Sequence, residues 1–132
     1  MAGKFNFIII DDSELDCFIA EKMIKHTGKS EIIKSFMSAT DALEYIKQTK
    51  HEKGDLTTVI ILDVLMPLMN GPAFVEAFES LPKDVQESYH IIALTSSMNK
   101  HDMEKISSYK AVKDLLDKPI TSESILPLLV NR

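Results

Sequence analysis

The chain has 132 residues, with fifteen basic and twenty acidic side chains and a formal net charge of −5, a length that fits one domain around one hydrophobic core. At 45% hydrophobic and 27% charged residues it has an ordinary globular composition, which excludes a disordered, collagen-like or coiled-coil chain. The acidic balance gives no general attraction for nucleic acid or anionic lipid, and a single cysteine, Cys17, excludes an internal disulfide and a multi-cysteine zinc site.

Short apolar runs alternate with longer amphipathic ones, which predicts βαβ units and a parallel sheet. The first run, residues 5–10, is too short to span a bilayer and is cut off by Asp11 and Asp12 before it can serve as a signal-peptide core. A helix is predicted over residues 13–26, with Leu15, Phe18, Ile19 and Met23 on one side and Gly28 placed to end it. Residues 31–36 alternate in character, as an edge strand does. A second helix starts at Ser38, has Asp41 as its capping-box partner, and turns Leu43 and Ile46 inward. Residues 58–62 form the third strand. The third helix opens on Gly71 and Pro72, with the proline suited to the first helical position, and buries Phe74, Val75 and Phe78. Residues 91–95 are the fourth strand. The helix after it, about 100–108, is polar, with only Met103 and Ile106 clearly apolar. Residues 112–116 are the fifth strand, and a last helix follows Thr121 and Ser122 to Val130, with Pro127 expected to shorten or kink it.

The first, third and fourth runs are nearly continuous in Ile, Val and Leu, as strands covered on both faces are. The predicted fold is α/β, a doubly wound five-stranded parallel sheet with helices on both faces. A closed eightfold barrel needs roughly 200 residues or more and is excluded. Open sheets of this kind carry their sites at the carboxyl ends of the strands, where the strand order switches.

Those ends are polar. Asp11 and Asp12 follow the first strand, Asp63 the third, Thr95, Ser96 and Ser97 the fourth, and Lys118 with Pro119 the fifth. Each has an ordinary structural reading: Asp12 as a helix N-cap, Thr95 as a strand hydroxyl bonding backbone, Lys118-Pro119 as a turn. Four such ends converging on one crevice is what points to chemistry. Crowded carboxylates repel unless a cation sits among them, and a hard divalent ion with oxygen ligands, Mg²⁺, is the natural neutraliser. One aspartate can then act as a nucleophile and form an aspartyl phosphate, with the ammonium of Lys118 and the hydroxyl of Thr95 neutralising charge on the phosphoryl oxygens.

The stretches Ile8-Ile9-Ile10-Asp11-Asp12, residues 60–71 (with Asp63-Val64-Leu65-Met66-Pro67-Leu68-Met69-Asn70-Gly71), Ala93-Leu94-Thr95-Ser96-Ser97 and Asp117-Lys118-Pro119 resemble the receiver domain of two-component response regulators, in order and across essentially the whole chain. The resemblance implies a flavodoxin-like strand order 2-1-3-4-5 and a stand-alone receiver over residues 1–132 with no output domain. It implies Asp63 as phosphoacceptor, and Mg²⁺ held by Asp11, Asp12, Asp63 and the backbone carbonyl of Leu65. It also implies Lys118 on a phosphoryl oxygen, Thr95 as the switch hydroxyl, small Ser96 leaving room for the phosphoryl group, and Gly71 permitting a tight turn. The implied partners are a histidine kinase or histidine phosphotransfer protein as donor and an unknown downstream protein, in the cytoplasm, without nucleic acid or membrane. The implied output is phosphorylation-dependent protein binding or onward phosphorelay, by a protein that is not a turnover enzyme. One position departs from the family: receivers carry Tyr or Phe three residues before the lysine, and here that residue is Leu115, expected to be buried.

Rival readings are weaker. A Mg²⁺-dependent aspartyl-phosphate phosphatase wants a second aspartate two residues after the nucleophile as general acid, and Leu65 occupies that place. A pseudo-receiver used only for docking has no need of the intact acidic set. A flavin-binding protein would place a phosphate where Asp11 and Asp12 repel it. The histidines, His26, His51, His90 and His101, show no metal-ligand spacing and are expected to be exposed or in loops. Cys17, with no basic partner nearby in sequence, reads as an inert thiol.

Overall fold

In the computed structural model the described residues are 4–50, 56–64, 71–95, 100–118 and 120–129, with the side chains of 100–103 left aside. Elements run in the order β1 (Phe5–Ile10), α1 (Glu14–His26), β2 (Ser30–Phe36), α2 (Ala39–Gln48), β3 (Thr58–Asp63), α3 (Gly71–Glu79), α4 (Lys83–Glu87), β4 (Tyr89–Thr95), α5 (Lys100–Ser107), β5 (Val112–Asp117) and α6 (Ser122–Leu129). The five strands are parallel and ordered β2-β1-β3-β4-β5. This is the doubly wound parallel sheet that the alternation of runs predicts, in the flavodoxin-like order that the resemblance implies.

Alternation along the strands divides the core between two faces. Ile8, Ile10, Ile60, Leu62, Ile91 and Ala93 face α2, α3 and α5, where they meet Leu43, Ile46, Phe74, Phe78 and Ile106. Phe7, Ile9, Val59, Ile61, Ile92 and Leu94 face the other way and pack on Cys17, Ala20 and Ile24 of α1 and on Ile125 and Leu129 of α6. The continuous apolar runs belong to the three inner strands, and the alternating β2 lies at an edge, as its pattern predicted. Register sets Ile10 against Leu62, Asp63 against Leu94 and Thr95 against Asp117, so the polar residues at the strand ends share one rim of the sheet.

Local signals explain most boundaries. Ser13 caps α1 by accepting from the Asp16 amide at 3.2 Å, and Ser38 caps α2 through the Asp41 amide at 3.3 Å. Gly28, at φ 74°, lets the chain leave α1 in the left-handed conformation. Gly71 allows a close approach: its amide donates to Val64 O at 2.9 Å, and an added Cβ would lie 2.8 Å from Val64 Cα; the turn expected before it lies outside the described residues.

Four expectations change. The buried stripe of α1 is Cys17, Ala20 and Ile24, while Leu15 and Phe18 are 65% and 56% exposed. In the first two turns of α1 the small residues Cys17 and Ala20 face the sheet and Leu15 and Phe18 turn outward, while Ile24 is buried and Met23 packs at the edge of that core. A short helix, α4, precedes β4; five residues are too few to show a period. His90 is buried in β4, with Nε2 3.0 Å from Asp114 Oδ2 on β5, because a carboxylate on the neighbouring strand offers the ring a partner. Leu115 is half-buried rather than enclosed, since β5 is an edge strand, and packs against the α2–α3–α5 side of the core. Pro127 sits inside α6, which is only eight residues long. His51 and the side chains of His101 and Met103 lie outside the described residues.

Candidate functional site: an acidic pocket with a lysine ammonium

The site is assembled from the ends of β1, β3, β4 and β5 and the first turn of α1. Asp11 and Asp63, at the ends of β1 and β3, are buried at 3% and 6% exposure, and Asp12 beside them is exposed. Ligand-capable oxygens of Asp11, Asp12 and Asp63 all lie within 4.8 Å of one another. Asp11 Oδ1 accepts from the Ser13 amide at 3.0 Å, which fixes the carboxylate at the entry to α1. Hard oxygen donors at this separation fit a small divalent cation, and the cluster found among the described residues is made of carboxylates alone.

Lys118 reaches into this cluster from the end of β5. Its Nζ is 3.0 Å from Asp11 Oδ2, 3.1 Å from Asp16 Oδ2 and 3.4 Å from Asp63 Oδ2. Burial alone would lower the lysine pKa; the hydrogen bonds to Asp11 and Asp16 and the charges of Asp11 and Asp63 outweigh that and raise it. The ammonium therefore stays charged throughout the neutral range. The Thr95 hydroxyl, buried at the end of β4, lies 3.3 Å from Leu116 O and 3.2 Å from Asp117 Oδ1, while the Lys118 amide donates to Thr95 O at 2.8 Å. Cys17 Sγ lies 3.3 Å from Asp11 O, and burial, then the Asp11 charge, push its thiol up to about 11. That keeps it protonated and inert, as expected.

All five side chains singled out from the sequence, Asp11, Asp12, Asp63, Thr95 and Lys118, thus gather at one rim. Leu65, whose carbonyl was expected as a metal ligand, lies outside the described residues, as do Ser96 and Pro119. Two participants were missed: Asp16, a salt-bridge partner of Lys118, and Asp117, a hydrogen-bond partner of Thr95. The available signal for Asp16 was its place one turn after Asp11-Asp12, on the helix that leaves the site.

The response regulator receiver domain model matches residues 7–129. The chain belongs to the response regulator receiver domain family. Among solved structures, a response regulator receiver protein from Dyadobacter fermentans is 30% identical, with 96% of each chain covered and a TM-score of 0.85. The receiver domain of sensor histidine kinase PA1611 from Pseudomonas aeruginosa is 16% identical, with 97% of this chain and 96% of that one covered and a TM-score of 0.76; it carries a magnesium ion coordinated in its active-site cleft. A curated relative, a protein-glutamate methylesterase/protein-glutamine glutaminase from Clostridium acetobutylicum, is 29% identical over 118 residues. The match covers 88% of this chain and 31% of that protein, so the receiver spans about a third of its relative. Receiver domains are signalling modules that bind Mg²⁺ at an acidic pocket and interact with histidine kinases or phosphotransfer proteins, and an acidic cluster of that kind is present here. Among the described residues, no helix is long and apolar enough to cross a membrane.

Proposed function

We propose that this receiver accepts a phosphoryl group on Asp63 from a phosphohistidine of a kinase or phosphotransfer protein, in a Mg²⁺-dependent reaction, and signals through phosphorylation-dependent protein binding or onward transfer. The observation that carries the reading is a buried Asp63 with an ammonium 3.4 Å from its carboxylate and two further aspartates within 4.8 Å. An oxygen of Asp63 attacks phosphorus, a P–O bond forms as the P–N bond of the donor breaks, and the imidazole leaves. Asp11, Asp12 and Asp63 would hold the Mg²⁺, which supplies positive charge to a phosphoryl oxygen. Lys118 places its ammonium where another equatorial oxygen develops. Asp11, fixed by the Ser13 amide, keeps its geometry while the charge around it changes. The Thr95 hydroxyl exchanges its β5 partners, Leu116 O and Asp117, for a phosphoryl oxygen, and so passes the event to β5. Leu15 and Phe18, exposed on α1 beside the site, offer the apolar area on which a donor docks.

Incubation of the full chain with acetyl phosphate, followed by intact-mass measurement, tests this. One phosphoryl adduct is expected, only when Mg²⁺ is present, and lost on Asp63→Asn. An adduct of normal yield on that variant, or none on the wild type, overturns the reading.

A further inference from the structure

A serine N-cap with an acidic residue three positions on is the pattern of a capping box, in which the acidic side chain reaches back to the cap amide. Ser13 and Asp16 have that spacing, and Ser13 Oγ accepts from the Asp16 amide at 3.2 Å. The return bond is absent for a visible reason: the Ser13 amide is already given to Asp11 Oδ1 at 3.0 Å. The Asp16 carboxylate is thereby released from its own helix and reaches Lys118 Nζ, 102 residues away, at 3.1 Å.

We infer that Asp16 is a positioning residue, the fixed tether that keeps the Lys118 ammonium beside Asp63 while the other carboxylates are engaged elsewhere. The inference rests on the proposed chemistry at Asp63 and extends it. Among the described residues, Lys118 has three carboxylate acceptors, Asp11, Asp16 and Asp63. Asp11 and Asp63 belong to the cluster that fits a cation, whereas Asp16 does not. When a cation draws on the first two, Asp16 is the acceptor whose charge remains committed to the lysine. A lysine stem is long and rotamer-rich, and one surviving anchor decides whether the ammonium waits at the site or disperses into solvent. The simpler role, an acidic residue favoured in the first turn of a helix, predicts an effect on stability and none on the lysine.

The test compares initial rates of Asp63 phosphorylation by acetyl phosphate at saturating Mg²⁺. Asp16→Ala should be slower by about three- to fivefold, the scale of a half-exposed ion pair, and Asp16→Asn, which keeps an acceptor without the charge, should fall between. In a Lys118→Ala background the same change should have no further effect. An unchanged rate in Asp16→Ala, or an equal slowing when Lys118 is already absent, overturns the tether. A second measurement does not depend on phosphorylation. In the Mg²⁺-loaded chain with ¹⁵N-labelled lysine, the Lys118 ammonium should show slowed hydrogen exchange that is lost in Asp16→Ala. Fast exchange in the wild type would also overturn it. Absence of any Asp63 adduct on the wild type, with slowed exchange intact, would instead refute the proposed function and leave the tether standing.

Discussion

β3 and β5 both end on an aspartate at the same rim of the sheet, and the two carboxylates lead different lives. Asp63 ends a strand hydrogen-bonded on both sides, whose preceding residues from Val59 to Leu62 are fully buried. Asp117 ends an edge strand of half-buried residues, is itself exposed, and lies 3.2 Å from the Thr95 hydroxyl. A group that must meet a phosphorus atom along one line gains from the first setting, because close-packed neighbours leave its backbone nowhere to go. A group that must release one partner when another arrives gains from the second, where the local cost of movement is small. On the proposed function, placement in the sheet, not residue type, is what would separate the chemistry from its transmission.

The largest effect expected from this contrast is chemical. Asp63→Asn should abolish the phosphoryl adduct, while Asp117→Asn should leave its yield intact and alter only the phosphorylation-dependent response at β5, read by hydrogen exchange with and without beryllofluoride. An adduct lost in both variants would erase the distinction. The next effect is on stability. Ile61→Ala, in the fully buried centre, should cost about 2–5 kcal/mol in denaturant unfolding, and Leu115→Ala on the edge nearer 1 kcal/mol; equal losses would mean that β5 is held as firmly as β3.

Asp12→Ala sharpens the comparison within the acidic cluster itself. Calorimetric titration should show Mg²⁺ binding weakened by roughly tenfold or more, about 1.4 kcal/mol or above, while the metal-free protein unfolds at the same or a higher temperature because one repelling charge is gone. The smallest effect lies beyond the rim. The Tyr109 hydroxyl donates to Glu76 on α3, and that bond, with some burial and the Glu76 and Glu79 charges, pushes the phenol up to about 12 from its ordinary 10. A raised phenol pKa contributes stability that is fully present below the ordinary value and is lost as pH climbs from about 10 to about 12. In ultraviolet titration, Glu76→Gln should return Tyr109 toward ordinary ionisation without touching phosphoryl acceptance.

Asp11, Asp12, Asp63, Thr95 and Lys118 were legible because a parallel sheet converts "the residue after each apolar run" into a shared rim, so position along the chain is enough to place them. The inner strands were legible for the same reason, through their unbroken Ile, Val and Leu. For Asp16 the chain order gives only a place one turn after Asp11-Asp12; its bond to Lys118 follows from Asp11 having taken the Ser13 amide, a competition that no spacing displays. Asp117 and His90 were missed because each acquires meaning from a partner on the neighbouring strand: Thr95 for one, Asp114 for the other. On α1, reading the large apolar residues as one side favoured Leu15 and Phe18; the sheet takes Ile24 together with the small Cys17 and Ala20, which permit a closer approach.

The two glycines described above imply opposite profiles in a saturation scan. At Gly28 nothing stands within 4 Å of where a side chain would begin, and only the sign of φ matters, so asparagine, at home in the left-handed region, should be accepted. At Gly71 the obstacle is the Val64 backbone, which carries the chain straight back to Asp63. Even alanine there must shift either the first turn of α3 or the strand that ends on Asp63, and since neither is the soft end of a side chain, position 71 should read as glycine alone, including in screens that select for folding and never ask about phosphate.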